Sequence, residues 1–143
     1  MLPESAESQS AENKIPRGRG ETILVVEDDP DLRDLSVTLL RGLGYRILEA
    51  EDGNAALRQF DANSGIDMLF IDVVLPGGVS GPQIALEVKQ RRSGIAILFT
   101  SGYPGMTQDN LGSFDQNAAL LAKPYLKADL AVKVREVLDR SAR

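Results

Sequence analysis

The chain has 143 residues, with 16 Lys+Arg against 21 Asp+Glu and a net charge of -5 at pH 7, which suits one domain with a tail and speaks against nucleic-acid binding as the main task. It contains no cysteine and no histidine, which excludes disulfides, thiolate or imidazole metal sites, histidine acid–base chemistry and any phosphohistidine formed by the chain itself. No apolar run approaches the roughly 20 residues of a membrane helix, and the N-terminus lacks a signal peptide's basic start and apolar middle, so the expected location is the cytoplasm, without membrane contact by this domain.

Residues 1–20 are polar, contain two prolines and end in Arg-Gly-Arg-Gly. They offer too little apolar surface to offset ordering and are expected to form a disordered leader or linker ahead of a domain over 21–143. The basic Lys14, Arg17 and Arg19 are expected to be solvated linker charges.

From Glu21 onward, short apolar runs alternate with helix-period segments. Ile23–Val26 is the first strand. The helix after it starts with Asp29 as cap, Pro30 in the first turn and Asp31 at the positive end of the dipole, and its predicted apolar face is Leu32, Leu35, Leu39, Leu40 and Leu43. Arg46–Ala50 is shorter and more polar, as an edge strand should be. Met68–Ile71, Ile95–Phe99 and Ala118–Ala122 are continuous apolar runs, the signature of parallel strands buried on both faces. Gly44, Gly65 and Gly94 stand where left-handed residues would end helices. Pro104–Asn117, rich in Gly, Asn, Gln, Ser and Asp, predicts a short or mobile helix. A final helix carries Leu126, Leu130, Val134, Val137 and Leu138 on one face. Five strands alternating with about five helices give an α/β doubly wound parallel sheet, with helices on both faces and ligands beyond the C-terminal strand ends.

The chemistry-bearing residues collect at those ends. Strand one stops in Glu27-Asp28-Asp29, strand three in Asp72, strand four in Thr100-Ser101 and strand five in Lys123-Pro124. In a parallel sheet these ends share one edge, which brings several acids, a hydroxyl and an ammonium together. Clustered carboxylates repel unless a cation is present. Magnesium suits such a site, because it favours oxygen ligands and binds one or two carboxylates while keeping several waters. Asp72 would then be free to attack phosphorus, with Lys123 as a point charge and Thr100 as a donor to the phosphoryl oxygens. Asp29 reads as a helix cap and Ser101 as a small turn residue.

The segments ILVVEDDPDLR, DMLFIDVVLPGG, LFTSGY and LLAKPY resemble, in order and spacing, the four signature segments of response-regulator receiver domains of two-component signalling. The resemblance covers about residues 21–140. It implies a flavodoxin-like fold of strand order 2-1-3-4-5 and a phosphoprotein whose phosphoacceptor is Asp72. It implies a magnesium site of Glu27, Asp28, Asp72 and the Val74 backbone carbonyl, with Glu27 acting through water. Thr100 would be the switch hydroxyl and Lys123 the phosphate-sensing lysine, with Lys123–Pro124 cis. The implied partner is a histidine kinase or histidine phosphotransfer protein. The domain would be no enzyme beyond its own phosphorylation and dephosphorylation, with output through protein contacts or phosphorelay.

Departures from the common pattern are informative. Leu120 stands where many receivers carry an aromatic switch residue, with Tyr103 as a substitute, and the turn Pro76–Gly81 is one residue longer than usual. Together with TSGY, that turn resembles receivers that stand alone or belong to hybrid histidine kinases. Two other readings stay open: a haloacid-dehalogenase-type phosphatase, which wants an acid where Val74 stands, and a pseudo-receiver that binds partners without phosphorylation.

Overall fold

A computed structural model of the chain describes residues 15–75, 80–102 and 118–141. In chain order the elements are β1 (Thr22–Val26), α1 (Pro30–Gly42), β2 (Arg46–Ala50), α2 (Gly53–Ala62), β3 (Ile66–Asp72), α3 (Gly81–Arg91), β4 (Ala96–Ser101), β5 (Ala119–Ala122) and α4 (Lys127–Ser141). The five strands are parallel and lie in the order β2-β1-β3-β4-β5, as expected. Tyr103 and the weak segment Pro104–Asn117 lie outside the described residues.

Alternation along each strand divides the core in two. Leu24, Val26, Leu69, Ile71, Ile97 and Phe99 point to the face covered by α2 and α3. Ile23, Val25, Met68, Phe70 and Leu98 point to the face covered by α1 and α4. Each central strand is therefore apolar on both sides, which is why it reads as an uninterrupted run. The edge strand β2 is more exposed, with only Ala50 fully buried.

The helix ends partly follow and partly depart from expectation. Asp29 caps α1 through its side chain, accepting from the amides of Asp31 at 2.9 Å and Leu32 at 3.3 Å, with Pro30 in the first turn. Gly44 does take a left-handed conformation, at φ +98, but Gly65 and Gly94 do not. There α2 and α3 run out through the extended residues Asn63 and Arg92. The Arg92 side chain donates to the carbonyls of Ser64 and Ile66, supplying a partner in the loop that no glycine turn provides.

Two predicted apolar faces also need correction. In α1 the buried residues are Ser36, Val37 and Leu40, followed by Leu43, whereas Leu32 and Leu35 are 39% and 51% exposed. They sit in the first turns, beside the strand-end loops rather than over the sheet. Leu126 precedes α4 and is 72% exposed, while Leu130, Ala131, Val134, Val137 and Leu138 form the buried stripe.

Most of the expected leader falls outside the described residues, but residues 15–20 make defined contacts. Ile15 packs against the α1/α4 side of the core. The Gly18 amide donates to the Leu43 carbonyl at 2.7 Å, and Arg17 reaches the Gly42 carbonyl at 3.1 Å. A Cβ on Gly18 would stand 2.7 Å from the Tyr45 ring, so only glycine allows that approach.

Candidate functional site

The site is built at the C-terminal edge of the sheet. The Glu27 amide donates to the Ala50 carbonyl at 3.1 Å, which prolongs the β1–β2 ladder and holds Glu27 at the sheet edge, buried. Its neighbour Asp28 is exposed. On the other side of β1, Asp72 ends β3 in register with Thr100 of β4. The Val73 amide donates to the Thr100 carbonyl at 2.9 Å, and the Val74 amide to Asp72 Oδ1 at 3.1 Å. Thr100 is buried. Val74, half exposed, pairs with Ser80 across the turn.

The first turn of α3 presses on this loop. Ser80 and Gln83 form a reciprocal cap, and the Gly81 amide donates to the Val73 carbonyl at 2.8 Å. A Cβ on Gly81 would fall 2.2 Å from the Asp72 carbonyl oxygen. Glycine is thus required by the close approach of two backbones, not by an unusual φ.

Lys123 closes the cluster from β5. Its amide donates to the Ser101 carbonyl at 2.8 Å, and the following bond to Pro124 is cis. Its ammonium lies 2.6 Å from Glu27 Oε1 and 2.6 Å from Asp72 Oδ2. Carboxylate oxygens of Glu27, Asp28 and Asp72 all lie within 4.8 Å of one another. Burial pushes the Glu27 carboxyl above its usual range, against the opposing pull of Lys123. Burial also works against the Lys123 charge, but Asp72 and Glu27 outweigh it and hold its pKa above the ordinary value.

The donor set fits a hard divalent cation. It offers three carboxylate oxygens from two loops, with Asp28 open to water, which leaves room for the solvent ligands that magnesium retains. Among the described residues, Glu27, Asp28, Asp72 and Lys123 lie together at this edge, with Thr100 in register with Asp72, while Tyr103 lies outside them. Sequence reading missed Arg33, whose guanidinium donates to the Glu27 carbonyl at 2.8 Å and approaches Glu49 at 3.4 Å. It also missed Tyr125 and Ser36, whose hydroxyls meet at 2.5 Å. The available signal for Tyr125 was its place two residues after Lys123. For Ser36 it was a lone hydroxyl amid leucines. Leu120, at the position of the usual aromatic switch, is half-buried against the α2/α3 side of the core.

The sequence pattern of the family described as the response regulator receiver domain matches residues 23–135. Among curated proteins, the chain is 34% identical over 122 residues to the sensory transduction protein RegX3 of Mycobacterium tuberculosis (strain ATCC 25618 / H37Rv), covering 83% of this chain and 51% of that protein. It is 30% identical over 139 residues to the sensor kinase CckA of Brucella abortus (strain 2308), covering 96% of this chain and 15% of that one. The chain thus spans about half the length of the first of these relatives and far less of the second. Among solved structures, the response regulator TrrA of Thermotoga maritima in complex with Mg(2+)-BeF superposes with a TM-score of 0.71 at 28% identity, covering 82% of this chain and 98% of that one.

Proposed function

The chain belongs to the response regulator receiver domain family, and on that footing we propose that Asp72 is the residue that accepts the phosphoryl group. The observation that carries this reading is the Asp72–Lys123–Glu27 contact set at the strand ends, with Asp28 beside it. A histidine kinase or a histidine phosphotransfer protein is the donor, in the cytoplasm. No helix among the described residues is long and apolar enough to cross a membrane.

In the transfer, an Asp72 carboxylate oxygen attacks the phosphorus of the donor's phosphohistidine. The new P–O bond forms as the P–N bond breaks, and the imidazole leaves with the electron pair. Asp28, Asp72 and the Val74 carbonyl would hold magnesium, with Glu27 reaching it through water, and the bound ion would supply charge neutralisation for the incoming phosphoryl oxygens. Lys123 already lies against Asp72 and offers its ammonium to the same oxygens. In this reading Thr100, paired in register with Asp72, meets the phosphoryl group with its hydroxyl. The reaction asks for positioning and neutralisation rather than a dedicated acid or base, consistent with a chain that has no histidine.

The dehalogenase-type phosphatase drops out, since its second acid would stand where the chain has the half-exposed Val74. Acetyl phosphate plus magnesium should label the wild-type chain, and Asp28→Ala should lose both magnesium binding and labelling. An unchanged magnesium titration in Asp28→Ala would contradict the metal site. A chain that takes no phosphoryl group from acetyl phosphate or a phosphohistidine donor would instead be a phosphorylation-independent binding module.

A further inference from the structure

Two hydroxyls in this fold, that of the buried Ser36 and that of the half-buried Tyr125, take no part in the acid cluster and meet each other. Ser36 lies on the sheet-facing side of α1, 4% exposed, beside the apolar Val37 and Leu40. A serine there is a weaker helix former than alanine and costs desolvation unless its hydroxyl is bonded. Tyr125 packs its ring edge-on against Phe70, with centroids 6.3 Å apart and planes at 84°. Phenylalanine would supply the same ring contact. The hydroxyl is the addition, and it lies 2.5 Å from Ser36 Oγ, where either group can donate. The contact joins α1 to the loop after β5.

That loop carries Lys123. A lysine side chain is long and flexible, so where its ammonium goes depends on how its backbone is held. On one side the Lys123 amide is fixed to the Ser101 carbonyl at 2.8 Å. On the other, two residues on, Tyr125 is fixed to Ser36. Three residues before Ser36, on the same side of α1, Arg33 holds the Glu27 carbonyl at 2.8 Å. One helix thus ties down both the acidic loop and the lysine loop.

We propose that the Tyr125–Ser36 hydroxyl pair is a positioning latch, which fixes the Lys123 loop against α1 and so keeps the ammonium between Asp72 and Glu27. The latch touches neither metal nor phosphoryl group, and its effect on transfer rests on Asp72 being the acceptor. Tyr125 and Ser36 are positioning residues, and the step they serve is the neutralisation supplied by Lys123.

Tyr125→Phe, Ser36→Ala and the double variant of the full chain test this. The measurements are the initial rate of labelling by acetyl phosphate at saturating magnesium, the affinity for magnesium alone, and the side-chain NMR signals of Lys123. Each single variant should slow labelling about fivefold, the effect of one hydrogen bond, and the double should be no slower than the slower single. Magnesium affinity should not fall, since the ammonium competes with the cation for the same acids, and the Lys123 signals should move alike in all three. In a Lys123→Ala background, Tyr125→Phe should slow labelling no further, whereas a contact that merely supports the fold would. Unmoved Lys123 signals, or a double variant that multiplies the two single effects, would overturn the latch. A wild-type chain that resists labelling while the variants still shift the Lys123 signals would count against the acceptor reading and for the hold on Lys123.

Discussion

The ammonium of Lys123 lies 2.6 Å from a carboxylate oxygen of both Glu27 and Asp72, and it offsets the repulsion of acids that burial would otherwise penalise. Replacing it by methionine leaves those acids without a counter-charge. Lys123→Met should therefore cost about 3 kcal/mol of unfolding free energy in metal-free buffer, as for a buried pair that loses one partner. Magnesium should restore part of that loss, because it binds the folded state and takes over the neutralisation. Urea unfolding with and without magnesium measures both. An equal loss in the two conditions would mean that Lys123 acts only by packing. The sign with pH follows from its raised pKa. The folded state holds this proton more tightly than the unfolded chain, so the contribution is complete below the ordinary value of 10.5. It fades as pH rises through the folded value, and Lys123→Met should lose that part of the alkaline decline. Glu27, Asp28, Asp72, Thr100 and Lys123 were legible because each ends an apolar run, where a polar residue has little structural reason to be. Ser36 and Arg33 were not, since a polar residue on a helix reads as solvent-facing until the helix is docked.

At the level of elements, the close approach of α3 to the end of β3 shows how backbone proximity positions the proposed acceptor. Gly81 opens α3 against the Asp72 carbonyl, and a Cβ there would stand 2.2 Å from that oxygen. Gly81→Ala should destabilise by about 1–3 kcal/mol, as overpacking does, and should slow labelling by displacing the Asp72 loop. Urea unfolding and the labelling rate together check this, and unchanged values for both would show that the loop yields freely. In α1 the pattern of leucines exposed the helix but not its rotation. Leu32 and Leu35 share the helix with the core residues yet line, with Lys123, Pro124 and Tyr125, a hollow of about 280 Å³ beside the acids. The proposed protein donor would cover the strand ends and meet this rim, whereas acetyl phosphate would not. Leu35→Asp should leave stability within about 0.5 kcal/mol and leave labelling by acetyl phosphate unchanged. It should slow transfer from a phosphohistidine protein, and equal rates from both donors would remove this rim from the docking surface. The glycines after α2 and α3 misled because Arg92 reaches across to the neighbouring carbonyls, a contact between residues 26 and 28 positions apart.

For the whole molecule, strand order decides the chemistry. With β2 and β3 on either side of β1, the chain reverses direction across the sheet between β2 and β3. The loops after β1 and β3 therefore part at the edge where Glu27, Asp28 and Asp72 converge. The alternation of continuous apolar runs with helical segments made this architecture legible. What composition could not convey was that residues 15–20 dock on the α1/α4 side through Ile15, Arg17 and Gly18, since a polar stretch shows no periodicity when backbone contacts hold it. The proposed product is an acyl phosphate at Asp72, and borohydride reduction of the acetyl-phosphate-treated chain followed by peptide mass spectrometry locates it directly. Aspartate should convert to homoserine at position 72 alone, dependent on magnesium and not at all in Asp72→Asn. Homoserine at another acid, or labelling that persists in Asp72→Asn, would contradict it.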